Sequence, residues 1–193
     1  TKMYDNNGIT ALITYKENTF NGPTIYYRNG VKKTEYNYKN GILDGKYAVW
    51  DKNGKKIYET NFVNGEGVLR EYDNDGKVYF EAKYLTGGVL SELKTDTNIM
   101  RYNNGVSNGK QEFYFYNGKK SYEINYKDSI VTGEFKAWNI NGDLFYETNI
   151  VNGNGITKYY LEPSTFIVDK YENGAIKESR TYTDKRFQLY RPD

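Results

Sequence analysis

The stretch DGKYAVWDKNGKKIYETNFVNG, residues 44–65, returns as TGEFKAWNINGDLFYETNIVNG at residues 132–153. Self-similarity of this kind constrains a fold more than composition does, because each copy must form a small supersecondary unit that stacks on its neighbours. The landmarks extend beyond the two copies. Gly22, Gly45, Gly67, Gly109, Gly133 and Gly155 are each followed five residues later by an aromatic ring: Tyr27, Trp50, Tyr72, Tyr114, Trp138 and Tyr160. Next comes an Asx-Gly pair, at Asn29-Gly30, Asn53-Gly54, Asp75-Gly76, Asn117-Gly118 and Asn141-Gly142. A glutamate stands five residues beyond each pair: Glu35, Glu59, Glu81, Glu123 and Glu147. The period is roughly 21 to 24 residues.

Asn-Gly or Asp-Gly between alternating segments is the strongest short-range hairpin signal, since a type I′ turn needs positive φ at both central positions. With Asn53-Gly54 as a two-residue loop, Val49 lies opposite Tyr58 and Ala48 opposite Glu59. The same arithmetic pairs Phe113 with Tyr122, Ala137 with Tyr146, Arg70 with Glu81, Lys136 with Glu147 and, less favourably, Glu112 with Glu123. One sheet face then carries Tyr47, Val49, Tyr58, Thr60 and Phe62, with Phe113, Phe115, Tyr122, Ile124 and Tyr126 as equivalents; this is the face expected to pack. The other carries the rings of Trp50, Tyr72, Tyr114 and Trp138 beside the glutamates, and is the face expected to be wet.

No segment has a capped, helix-period pattern. The fold class expected is all-β: an elongated, single-layer antiparallel meander of repeated β-hairpins, forming one repeat domain over residues 1–193. Its approximate units are 1–21 (partial), 22–44, 45–66, 67–87, 88–108 (degenerate), 109–132, 133–154 and 155–193 (a divergent C-terminal unit). The degenerate stretch loses the ring and the Tyr-Glu, and reads as a divergent unit or as a seam between two sub-arrays.

The recurring pattern G-x(4)-[YW]-x(2)-[ND]-G-K-x(3)-E-x(2)-[YF] resembles the bacterial variant of the MORN repeat over most of residues 20–152. The resemblance implies a hairpin array that serves as an interaction or tethering module. It also implies an antitoxin-like role or an exported, surface-linked one, whereas MORN proteins of eukaryotes suggest lipid attachment.

Composition removes several chemistries. With neither Cys nor His, Ser-His-Asp, Cys-His and His-ligated metal sites are excluded. A carboxylate pair of the glycosidase kind is conceivable, but glutamates recurring at repeat spacing point to sheet pairing. DNDGKVYFE, residues 73–81, has its Gly too early for an EF-hand and matches the other hairpin turns. GVSNGKQ, residues 105–111, lacks P-loop spacing. No catalytic residue, metal or cofactor is expected, and the chain is read as non-enzymatic. Lys and Arg number 27 against 25 Asp and Glu, a balance unlike the basic stripe of a nucleic-acid binder. No apolar run is long enough for a membrane-spanning helix. The first residue is Thr1 and the first Met is Met3; on that basis an exported location (periplasmic, cell-surface or secreted) is expected over a cytoplasmic one.

Two surfaces remain. Trp50, Tyr72, Tyr114 and Trp138, with Glu59, Glu81, Glu123 and Glu147, form the candidate face for a protein partner, a toxin or a host or surface protein. The same rings could serve structurally, by stacking between strands, or in carbohydrate binding. Lys55, Lys56, Lys77, Lys119 and Lys120 recur just after the hairpin Gly and form a candidate rim for anionic lipid; the plainer reading is that turns are solvated and lysine protects sheet borders.

Overall fold

The computed structural model describes residues 1–6 and 8–185; the part of the C-terminal unit beyond residue 185 lies outside the described residues. Among the described residues there is no α-helix, and the fold is all-β, built of antiparallel hairpins. The chain divides into two compact units, Thr1–Ser91 and Glu92–Asp193, inside the stretch where the repeat pattern degrades.

The first unit holds β1 (Lys2–Asp5), β2 (Gly8–Lys16), β3 (Thr19–Arg28), β4 (Val31–Lys39), β5 (Ile42–Leu43), β6 (Gly45–Trp50), β7 (Lys56–Phe62), β8 (Gly67–Tyr72) and β9 (Val78–Leu85). Its ladder runs β1-β2-β3-β4-β6-β7, with β5 on β4, and β8 pairs with β9. Strand β10 (Val89–Thr95) carries the division. The second unit continues with β11 (Asn98–Asn103), β12 (Val106–Ser107), β13 (Gly109–Tyr114), β14 (Lys120–Lys127), β15 (Ile130–Val131), β16 (Gly133–Trp138) and β17 (Leu144–Ile150). It closes with β18 (Gly155–Glu162), β19 (Thr165–Glu172) and β20 (Ala175–Thr183), which pair in that order. The degenerate stretch still makes a hairpin, with Glu92, Leu93 and Lys94 opposite Arg101, Met100 and Ile99.

The expected register is observed throughout: Val49↔Tyr58, Ala48↔Glu59, Arg70↔Glu81, Glu112↔Glu123, Phe113↔Tyr122, Lys136↔Glu147 and Ala137↔Tyr146. The turn behind it is different from the one expected. Asn53 has no positive φ, whereas Gly54 does, at 81°. Gly54 N donates to Asp51 O, and Asp51 N donates to Lys55 O. This is a three-residue loop, a type I turn closed by a left-handed Gly, rather than a two-residue type I′ turn. A β-bulge at Ile57 inserts the compensating residue, so that Trp50↔Lys56 gives way to Val49↔Tyr58. Loop and bulge together shift the count as a two-residue loop would, which is why the arithmetic succeeded with the wrong turn. Asp51, Asp73 and Asn139 stabilise these loops by accepting two backbone N–H bonds each. Type I′ geometry occurs instead at Asn29-Gly30 and in the connections between units, such as Asn40-Gly41 and Asn64-Gly65, where both residues have positive φ.

Those connections explain the two near-identical stretches. After β7 the ladder stops, and Val63↔Glu66 is a lone bridge; after β17 the same happens at Val151↔Asn154. At each corner the following hairpin leans over the apolar face. Tyr58 Oη donates to Val68 O at 3.3 Å and Tyr146 Oη to Ile156 O at 3.3 Å. Arg70 lies 5.1 Å from the Tyr58 ring and Lys158 5.1 Å from the Tyr146 ring. Gly65 and Gly153 sit where a Cβ would come within 2.2 Å of the backbone N of Gly88 and Gly174. Each corner thus needs a second glycine-containing turn packed on the first.

The single layer persists along the ladders and folds over a core at the corners. Tyr47, Val49 and Phe62 pack with Leu69 and Ala82 in the first unit; Ile124, Phe135, Ala137 and Ile150 pack with Tyr171 in the second. Tyr47 is fully buried and its hydroxyl donates to Arg70 O. The face expected to pack is the one buried here, each large side chain contributing about 1.5–3 kcal/mol.

Candidate binding face

The glutamate column is an ion-pair ladder. Glu81 accepts from Arg70 at 2.7 Å, Glu147 lies 3.5 Å from Lys136, and Glu59 pairs with Lys56. The like-charged Glu112 and Glu123 are bridged by Lys120, at 2.9 and 2.8 Å, with Arg101 on one side and Lys110 on the other. Burial alone would raise both carboxyls, but these cations outweigh it and hold them below the usual carboxylate range. Lys120 shifts upward for the reciprocal reason: burial lowers it, and its bonds to Glu123 and Glu112 raise it by more. Repulsion across the strand pair is thereby converted into attraction.

The four rings are all half-buried. Lys32 Nζ lies 4.3 Å from the centre of the Trp50 ring and Lys120 Nζ 5.4 Å from that of Trp138, both in cation–π range. Tyr114 Oη reaches the Glu112 carboxylate at 3.4 Å. Tyr72 departs from the wet face expected for it: the corner turns it against the first core, its ring 6.0 Å from Tyr58. Within the first unit, Trp50 and Tyr72 line one cleft of about 100 Å³. The lysine rim is not one free cationic strip. Lys56 and Lys120 are spent on Glu59, Glu112 and Glu123, and Lys119 Nζ donates to Asn141 O at 2.8 Å. Lys55 and Lys77 are exposed at turns.

Residues outside the repeat pattern complete the arrangement. Arg101 binds Glu92 and Glu112, donates to Lys110 O, and exchanges two bonds between its backbone and the Gln111 amide. It lies in the degenerate stretch, so no repeat position signalled it. Arg28 reaches across 46 residues to Asn74, Nη1 to Oδ1, at 3.3 Å. That contact follows from the corner, which returns the third hairpin tip to the first.

What the geometry presents is a neutral, aromatic and charged mosaic. Among the described residues no cluster of His, Cys, Asp and Glu is suited to a metal ion. The family model described as MORN repeat variant matches four stretches, residues 24–40, 43–64, 65–85 and 107–128, and these coincide with hairpins assigned above. No curated protein matches the chain. Four stretches of the chain are thus similar to the MORN repeat variant, a repeat class that generally serves as a non-catalytic scaffold for protein or membrane interaction.

Proposed function

We propose that this protein is a non-enzymatic scaffold that binds another protein through the aromatic faces of its two units, Trp50 and Tyr72 in the first and Tyr114 and Trp138 in the second. One observation carries the reading: both tryptophans of the chain stand half-buried at equivalent repeat positions, each beneath a lysine, among carboxylates already paired. Such a surface offers rings and directional polar groups with little net charge, which suits a protein partner better than an anionic bilayer. An antitoxin-like or surface-adhesion role, and an exported location, belong to the same proposal.

The test places a photo-crosslinking phenylalanine analogue at positions 50 and 138 in the producing cells. The expected result is one protein captured from both positions. Trp50→Ala or Trp138→Ala should then weaken its binding by more than about 2 kcal/mol with little change in melting. Equal binding by a stable double variant refutes the proposal. Attachment to membranes through Lys55, Lys77 and Lys119 is the competing reading; tight, salt-sensitive binding to anionic vesicles, lost on replacing these lysines by Glu, would establish it.

A further inference from the structure

The corner of the first unit makes something that the corner of the second does not. Three hairpin tips meet around the 100 Å³ cleft: Arg28–Val31 from the first, Trp50–Lys52 from the second and Glu71–Asn74 from the third. Its apolar lining is Val31, Val49, Trp50, Ile57 and Tyr72. In the second unit the residue at the bulge equivalent to Ile57 is Phe145, and the one equivalent to Tyr72 is Tyr160. There the two rings stand 4.6 Å apart, with Phe166 at 5.6 and 5.9 Å, and Tyr160 is buried with its hydroxyl on Asp184. The second corner is packed by ring on ring. The first stays open because Ile57 is smaller and no third ring enters.

The rim of the cleft is electrically lopsided in what it leaves available. Its carboxylates are engaged: Asp51 and Asp73 each cap their own loop through two N–H bonds, and Glu71 takes the Tyr79 hydroxyl. Lys32 is engaged by Glu35. Lys33 and Lys52 have no ion-pair partner among the described residues, although Lys33 is half-buried. A half-buried cation without a counter-charge is favourably completed by a carboxylate from outside.

We propose that this cleft receives a partner segment that presents an aliphatic side chain next to a carboxylate, the aliphatic group entering against Ile57 and Tyr72 and the carboxylate bridging Lys33 and Lys52. The volume sets the size: a cavity that admits benzene is about 150 Å³, so about 100 Å³ takes a Leu, Ile or Met side chain and excludes Trp. This inference rests on the reading that the Trp50–Tyr72 face binds protein, and it names the chemistry of that partner.

A random linear-peptide display library selected on the full chain tests it. The expected peptides share an aliphatic residue flanked by Asp or Glu. Ile57→Phe, which rebuilds the ring packing of the second corner, should lower their affinity by at least about tenfold while melting is unchanged or raised. Lys33→Glu with Lys52→Glu should lower it by a similar factor, whereas Lys177→Glu, at an exposed position on β20, should leave it alone. Peptides without acidic residues, or binding indifferent to Ile57→Phe, overturn the proposal, as does a selection that yields no binder. Peptides lost with Trp138→Ala but kept by Ile57→Phe overturn it while leaving protein binding through the repeat face intact.

Discussion

Replacing Gly65 by Ala puts one methyl group into the tightest place in the first unit. Gly65 has a φ of 84°, where an L-residue costs about 1–2 kcal/mol. Gly76 has a φ of 81° and nothing within 4 Å of its would-be Cβ, so Gly76→Ala isolates that backbone cost, about 1 kcal/mol after the gain from a stiffer unfolded chain. At Gly65 the new Cβ would also stand 2.2 Å from Gly88 N and 2.7 Å from Gly88 Cα, atoms that no rotamer can move aside. The two turns must separate, loosening Gly87 N to Asn64 O and Gly65 N to Leu43 O, now 2.6 and 2.9 Å. Two bonds at about 1 kcal/mol each and overpacking strain of about 1–3 kcal/mol, added to the backbone cost of about 1 kcal/mol, bring the expected loss to about 4–6 kcal/mol. Urea unfolding followed by Trp50 fluorescence in a Trp138→Phe background reads the first unit selectively, since the chain has two tryptophans. Gly153→Ala, read through Trp138 in a Trp50→Phe background, should behave alike, its Cβ meeting Gly174 N at 2.2 Å. If Gly65→Ala falls within about 0.5 kcal/mol of Gly76→Ala, the corner does not depend on turn-on-turn contact and the reasoning fails.

Asp51→Ala should cost about 1 kcal/mol by leaving the Asn53 and Lys55 N–H groups uncapped, whereas Asn53→Ala should be nearly neutral; a larger loss at Asn53 would restore the type I′ turn. Lys120→Met should cost about 2 kcal/mol at neutral pH by exposing Glu112 to Glu123. Because the folded pKa of these carboxyls is depressed, their contribution is present above about 4.5 and is lost as pH falls through the folded value; the variant should show a flatter acid limb in denaturation, and an unchanged limb would refute the pairing. Tyr47 and Tyr122 are pushed above 10.0, mainly by burial, so their contribution is complete below pH 10 and is lost as pH rises beyond it; phenolate absorbance should show them titrating together with unfolding rather than before it.

Much of the local structure was legible because the repeat ties residue types to places within a hairpin. Val49 faces Tyr58 and Lys136 faces Glu147 wherever the spacing predicts it, since side chains alternate with a strict period of two. The turn chemistry was harder to read. Asn53-Gly54 and Asn64-Gly65 share the same letters, and only the flanking Asp51 and the compensating bulge at Ile57 make the first a three-residue loop. The rings were located by column, but Tyr72 could not be assigned to the wet or the packed side from its column, because the corner reverses its surroundings. The cleft was invisible for the same reason: Arg28 and Asn74 are 46 residues apart, and the open space depends on Ile57 standing where Phe145 stands in the other unit.

By itself the sequence determined the all-β class, the hairpin period, the cross-strand partners and the face that packs, since these follow from alternation and from glycine at recurring sites. Tertiary structure decided where the ladder breaks, which turns press together, and which charges are left unpaired. Those outcomes depend on contacts between hairpins distant in the chain, where a difference of a few side-chain atoms closes one corner with aromatic rings and leaves the other open.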